Sequence, residues 1–115
     1  MKVLKFGGSS VGSAEAIEQV VAIIREASAS GRCAVVLSAM QGTTDALIDA
    51  GRAAERGDDG YAGILAGIND RHIEAIKKLF GTNPAVSNFV ESIIVELKNL
   101  CEGVRLIREL SPKTL

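Results

Sequence analysis

The run Cys33-Ala34-Val35-Val36-Leu37-Ser38 constrains the fold more than any other part of the chain. Its apolar stretch is too short for a buried helix and too continuous for a strand with one wet face. Such a strand belongs inside a parallel sheet, covered on both sides. A parallel partner has to reach it by a crossover, and one lies upstream. Lys2–Phe6 (KVLKF) is β-prone and ends at the pair Gly7-Gly8, which reads as a strand entering a tight turn. Between the strands, Ile17, Val20, Val21, Ile24 and Ala27 recur at the spacing of one buried helix face. Ser13 stands as N-cap, Glu15 suits the first turn, and Gly31 stops the helix. Residues 1–42 therefore read as one βαβ unit of an α/β fold, with a right-handed crossover expected.

From residue 43 to about 110 the pattern is helical. Thr43 or Thr44 caps a helix through about Arg56, with Gly57 as its stop. Asp58-Asp59-Gly60 is a polar, solvated turn. A second helix over roughly 61–79 carries Ile64, Leu65, Ile68, Ile76 and Leu79 and ends at Gly81. Asn83-Pro84 restarts the chain, with Asn as N-cap and Pro at the first helical position. A long aliphatic stripe then runs from Val86 to Ile107, and Ser111-Pro112 is the expected stop. Two parallel strands fall short of the four to six of an ordinary sheet. The sheet is thus expected to be incomplete, and residues 1–115 to be part of a larger unit.

Composition narrows the class further. The 115 residues carry 13 basic against 14 acidic side chains, a formal charge of −1, which argues against a nucleic-acid binder. Apolar residues make up 47% and charged residues 23%, the balance of a globular domain. No apolar run approaches the roughly 20 residues of a membrane span, and no signal-peptide pattern opens the chain. A cytoplasmic protein is expected. Cys33 and Cys101 are too few and too far apart for a disulfide framework or zinc cluster, and read as packing residues. His72, flanked by Arg71, reads as a partly exposed structural histidine.

The chemistry points to Lys5-Phe6-Gly7-Gly8-Ser9-Ser10-Val11-Gly12. Glycines directly after a strand let backbone N–H groups approach an anion, and the following helix N-terminus adds partial positive charge. Ser9 and Ser10 offer hydroxyls, and Lys5 brings a full charge to the carboxyl end of the strand. These are the parts of a phosphate cradle. The dinucleotide fingerprint fails, because the first two glycines are adjacent and no acidic residue ends the second strand. The P-loop also fails, because Ser13 stands where its lysine belongs. At the end of the second strand, Ser38 to Asp45 (SAMQGTTD) should reach the same edge of the sheet. Ser38 and Thr44 would face the cradle.

Lys-Phe-Gly-Gly-Ser-Ser-Val-Gly resembles the KFGG[TS]SV signature of aspartokinases, in the amino-acid kinase superfamily. Val36 to Asp45 resembles that family's V-[VL]-S-A-x-x-x-x-T-[DN] segment, and Arg71-His72 with Ala75-Ile76 and Leu79 resembles the helical part that follows. The resemblance implies ATP-dependent phosphorylation of the L-aspartate β-carboxylate to 4-phospho-L-aspartate. That is the first step of lysine, threonine and methionine biosynthesis. It implies Lys5 as the catalytic cation and Lys5, Gly7, Gly8 and Ser9 as nucleotide or phosphate contacts. It implies Ser38 and Thr44 as aspartate-side residues. Ser9 replaces the commoner Thr and keeps the hydroxyl. Mg2+ is implied with ATP, yet Asp45 is the only acidic residue at the sheet edge and the metal ligands are not identifiable. A homo-oligomer is implied for the parent protein, which in related enzymes can be fused to homoserine dehydrogenase. Residues 1–115 alone are expected to be inactive. Two other readings stay open: a small non-catalytic anion-binding or interaction module, and another amino-acid kinase.

Overall fold

The computed structural model describes residues 1–114, with side chains through Arg108. Strand β1 (Lys2–Phe6), helix α1 (Ala14–Ala29) and strand β2 (Cys33–Leu37) come first. Helices α2 (Thr43–Glu55), α3 (Tyr61–Phe80) and α4 (Pro84–Thr114) follow. The chain divides into two compact units, Met1–Thr44 and the segment from Asp45 onward.

In the first unit β1 and β2 pair in parallel, Lys2 against Cys33 through Phe6 against Leu37, as a two-stranded sheet. Alternation puts Leu4 and Phe6 on one face and Val3 and Lys5 on the other. The former pair is half-buried and the latter exposed, so α1, which packs on both strands, covers the Leu4–Phe6 face. Ser13 begins α1 as a capping residue, its Oγ accepting the Ala16 N–H at 3.1 Å. Val20 on α1 is buried, together with Val11 and Ala14.

The α/β class and the unfinished sheet hold, but the expected cover over β2 does not. Val36 is 51% and Leu37 58% exposed. The apolar pattern of β2 records the burial this strand is suited to, and only two strands and one helix are at hand to supply it.

The second unit is built from helices around Ala50, Ala53, Ala54, Tyr61, Leu65 and Ile68. Three alanines on α2 let larger side chains of α3 close over them, and Leu65 is only 2% exposed. Ile94, Leu97 and Cys101 of α4 pack against the same core. The turn after α2 needs Gly57 at φ +78°, a conformation costly for any residue with a Cβ. There the N–H of Gly57 donates to the Ala54 carbonyl and that of Asp58 to the Ala53 carbonyl, each at 2.9 Å. Asn83 caps α4 through its Oδ1, which accepts the Val86 N–H at 3.3 Å.

Two boundaries differ from the sequence expectation. Helix α2 starts at Thr43, so both threonines lie in its first turn rather than before it. The turn Met40–Thr43 closes first, with the Thr43 N–H donating to the Met40 carbonyl at 3.0 Å. Helix α4 passes Ser111-Pro112 and reaches Thr114. Proline forfeits one backbone hydrogen bond and biases its predecessor away from the helix, but neither effect forces an end.

Candidate phosphate-binding site

Because β1 and β2 run parallel, the loops after Phe6 and after Leu37 leave the same edge of the sheet. Lys5 lies opposite Val36 on the open face, one residue before its strand ends. Beyond the strand, the Ser38 N–H donates to the Phe6 carbonyl at 3.0 Å, carrying the ladder one residue further. That bond sets Ser38 beside the start of the glycine loop.

The loop from Gly7 to Gly12 is folded on itself. The Ser10 N–H donates to the Gly7 carbonyl at 3.1 Å and the Gly12 N–H to the Ser9 carbonyl at 3.4 Å. It is also tied sideways, the Gln41 N–H donating to the Gly8 carbonyl at 3.1 Å. Helix α1 follows at once. Its N-terminal N–H groups are partly engaged already, Ala16 by the Ser13 hydroxyl and Ile17 by the Ser13 carbonyl at 3.0 Å. To an anion placed there the helix would contribute mainly through its dipole, and direct contacts would fall to the loop.

Lys5, Gly7, Ser9 and Ser38 are exposed at this edge and Gly8 is half-buried. Thr44 is exposed too, on the first turn of α2. Among the described residues no hydrogen bond joins it to the glycine loop. The backbone thus brings the glycine loop and Ser38 to one edge of the sheet, with Lys5 one residue before the end of β1; a cation, hydroxyls and glycine backbone are the groups a phosphate takes. Metal binding fares differently: among the described residues, no three His, Cys, Asp or Glu side chains converge to hold an ion.

Two titratable side chains elsewhere, His72 and Cys101, sit in structural surroundings. His72 Nδ1 lies 2.8 Å from the Ile68 carbonyl one turn earlier, the position of a histidine held on its own helix. Burial pushes the Cys101 thiol up, away from the thiolate a nucleophile needs. An apolar cleft of about 290 Å³ in the second unit is lined by Leu47, Gly51, Leu97, Leu100 and Val104 among others, and offers nothing to a phosphate. No helix among the described residues is long and apolar enough to cross a membrane.

Two contacts were not anticipated from the sequence. One is the backbone bond from Gln41 to Gly8. The other joins α3 to α4: the Tyr61 hydroxyl donates to Glu102 Oε2, and Arg105 Nη2 donates to Glu102 Oε1 at 2.6 Å. The chain's one tyrosine, at the start of a helix, was the available signal for the second. Its partner, 41 residues away, carried none.

Comparison with known proteins gives a consistent result. The family model described as "Amino acid kinase family" matches residues 1–109. The chain is 36% identical over 106 residues to the bifunctional aspartokinase/homoserine dehydrogenase 1, chloroplastic, of Arabidopsis thaliana, covering 91% of the chain and 11% of that protein. It is 36% identical over 115 residues to aspartokinase 1, chloroplastic, of the same plant, covering 97% of the chain and 19% of the relative. An aspartate kinase of Pseudomonas fluorescens (strain SBW25) is 52% identical over 52 residues, 44% of the chain and 13% of that enzyme. Against these relatives the chain spans between about a tenth and a fifth of the full length.

Proposed function

The chain belongs to the amino acid kinase family, and from that premise we propose that it is the phosphate-gripping N-terminal part of an aspartate kinase. The intact enzyme would transfer the γ-phosphoryl group of ATP to a β-carboxylate oxygen of L-aspartate, giving 4-phospho-L-aspartate and ADP. ATP would supply the phosphoryl group, and Mg2+ would neutralise part of its charge. The single observation that supports the reading is the parallel register of β1 and β2, extended by the Ser38 N–H to Phe6 carbonyl bond, which brings the glycine loop and Ser38 to one edge of the sheet.

Each residue has a role there. Phosphoryl transfer requires little covalent help and much compensation of charge on the equatorial oxygens. Lys5 supplies that compensation as the catalytic cation. Gly7 and Gly8 bring backbone to the phosphates, and the Ser9 hydroxyl donates to a phosphate oxygen. Ser38, beside the glycine loop, and Thr44, at the start of α2, take the aspartate side. The metal ligands and the base pocket lie outside residues 1–115 in this reading, so these residues alone do not turn over. A homo-oligomer in the cytoplasm is the proposed working form, and the exposed Phe89, Leu100 and Ile107 on α4 are in keeping with a subunit contact.

An ATP-dependent hydroxamate assay on the intact enzyme tests the reading, with L-aspartate and L-glutamate compared as acceptors. Aspartate should be strongly preferred. Lys5→Ala should lower turnover by about 100-fold or more, on the scale of one lost charge-stabilising donor, while ATP binding weakens far less. Near-normal turnover in that variant, or a preference for glutamate, overturns the assignment.

A further inference from the structure

The three glycines of the loop sit in different surroundings. None of Gly7, Gly8 and Gly12 has a positive φ, so backbone conformation alone does not demand glycine at any of them. Space does. A Cβ on Gly7 would meet nothing within 4 Å. A Cβ on Gly8 would lie 3.3 Å from the Gln41 Cα, 3.4 Å from the Ala39 carbonyl oxygen and 3.5 Å from the Gln41 nitrogen. All three are backbone atoms, and the first is tighter than ordinary van der Waals contact, so the Gln41 backbone would have to give by a few tenths of an ångström. A Cβ on Gly12 would lie 3.2 Å from the Gly8 carbonyl oxygen and 3.4 Å from the Gln41 Cβ. Gly8 and Gly12 thus both lie against Gln41, Gly8 also against the Ala39 carbonyl and Gly12 also against the Gly8 and Ser9 carbonyls, and the Gln41 N–H holds the Gly8 carbonyl at 3.1 Å.

We propose that Gln41 is a positioning residue: its backbone locks the loop after β1 to the loop after β2, so that the phosphate-side and acceptor-side elements are held as one rigid rim. The inference rests on the kinase reading above and deepens it. Gly7 is then the glycine with open space beside its Cα, while Gly8 keeps its place toward the phosphates and, with Gly12, also admits Gln41. Lock and rim are continuous along the chain, because Gln41 lies between Ser38 and Thr44, and Gly8 lies between Gly7 and Ser9. Any widening of the Gln41–Gly8 contact separates the two sides of the reaction. Misplacement of reacting groups by about 1 Å can cost on the order of 100-fold in rate.

The local turn offers a way to cut the lock. Met40–Thr43 is closed by the Thr43 N–H to Met40 carbonyl bond, with Gly42 at φ +84° in its third position. Those are the marks of a type II turn, which favours proline in its second position, here Gln41. Gln41→Pro keeps the turn, removes the one N–H that reaches Gly8, and sets a ring carbon against its carbonyl. Gly8→Ala presses on the same contact from the other side.

In the intact enzyme, Gln41→Pro should lower kcat by about 100-fold and Gly8→Ala, which asks its neighbour to give by a few tenths of an ångström, by a smaller factor, while far-ultraviolet circular dichroism and the melting temperature stay close to the parent's. The double variant should be no worse than the poorer single one, because both cut one contact. Hydrogen exchange supplies a readout independent of activity: Gly8→Ala should speed exchange of the Gln41 amide without affecting the amides of α1. Gln41→Pro retaining kcat within threefold, multiplicative losses in the double variant, or an unchanged Gln41 exchange rate overturns the proposal. Absence of aspartate-dependent turnover in the parent enzyme would sink the kinase reading instead, leaving the exchange measurement to judge the lock.

Discussion

The two units of this chain differ in what they bury. From Asp45 onward, Tyr61, Leu65, Ile68 and Ile76 are all buried, and α2 supplies a bed of alanines beneath them. In Met1–Thr44 the buried apolar residues are Val11, Ala14 and Val20, while the branched side chains of β2 stand half in water. The helical unit holds a core of its own. The βαβ unit carries every residue assigned to chemistry and has the thinner support. The contrast teaches that a strand–loop–helix edge is shaped by backbone hydrogen bonds and close contacts as much as by burial. The Ser38–Phe6 and Gln41–Gly8 bonds are the examples here.

The largest test of that contrast is a pair of truncations. Leu65→Ala should cost about 2–5 kcal/mol, the usual range for a fully enclosed leucine. Val36→Ala, at a half-exposed position, should cost below about 1 kcal/mol, less than one fully buried side chain is worth. Residue-resolved hydrogen exchange should show the loss from Leu65→Ala in α3 and α4 and leave α1 unchanged. An equal loss in α1 would merge the two units into one cooperative block.

A smaller comparison uses the two helix caps. Ser13→Ala removes the acceptor for the Ala16 N–H in the first unit, and Asn83→Ala the acceptor for the Val86 N–H in the second. Each should cost about 1 kcal/mol. Pro84 keeps the first turn of α4 preset, so its helix should start at the same residue after the change, while α1 should fray by a turn. Amide exchange at Ala16 and Val86 distinguishes the two outcomes.

The smallest effect is one of pH, confined to the helical unit. The hydrogen bond from Arg105, then that from Tyr61, holds the Glu102 carboxyl below its usual value of 4.5. A depressed carboxylate stabilises the folded state above its unfolded pKa, and that contribution fades as pH falls below about 4.5. The bond to Glu102, followed by burial, raises the Tyr61 hydroxyl above its usual value of 10.0. Its contribution is complete below about pH 10 and fades as pH rises further, when the unfolded chain ionises first. Glu102→Gln should flatten the acid limb of the α3–α4 melting profile and leave α1 unaffected.

Much of the fold was legible because its signals are local. Strand β1 was expected at Lys2–Phe6 and stands there, Ser13 caps α1, and Asn83-Pro84 opens α4. Family membership was legible for the same reason, since the Lys-Phe-Gly-Gly motif and the segment from Val36 to Asp45 are short and contiguous. What escaped was what residues far apart do to one another. The apolar run of β2 states a preference for cover, and a preference is not a neighbour. Nothing in Gly8 or Gln41 taken singly announces that they meet, because the contact uses a carbonyl, an N–H and a missing Cβ. The Tyr61–Glu102 bond escaped likewise, its partners being fixed by how α3 lies on α4.

The exposed edge of β2 has a practical consequence. Cys33–Leu37 carries no charge and no proline, and among the described residues no strand lies beside the backbone groups that do not face β1. Such an edge is a template for another extended chain, the starting point of sheet-to-sheet aggregation. Arg32, immediately ahead of the run, is the one charge placed to act as a gatekeeper, and its loss would favour clumping over stable dissolution.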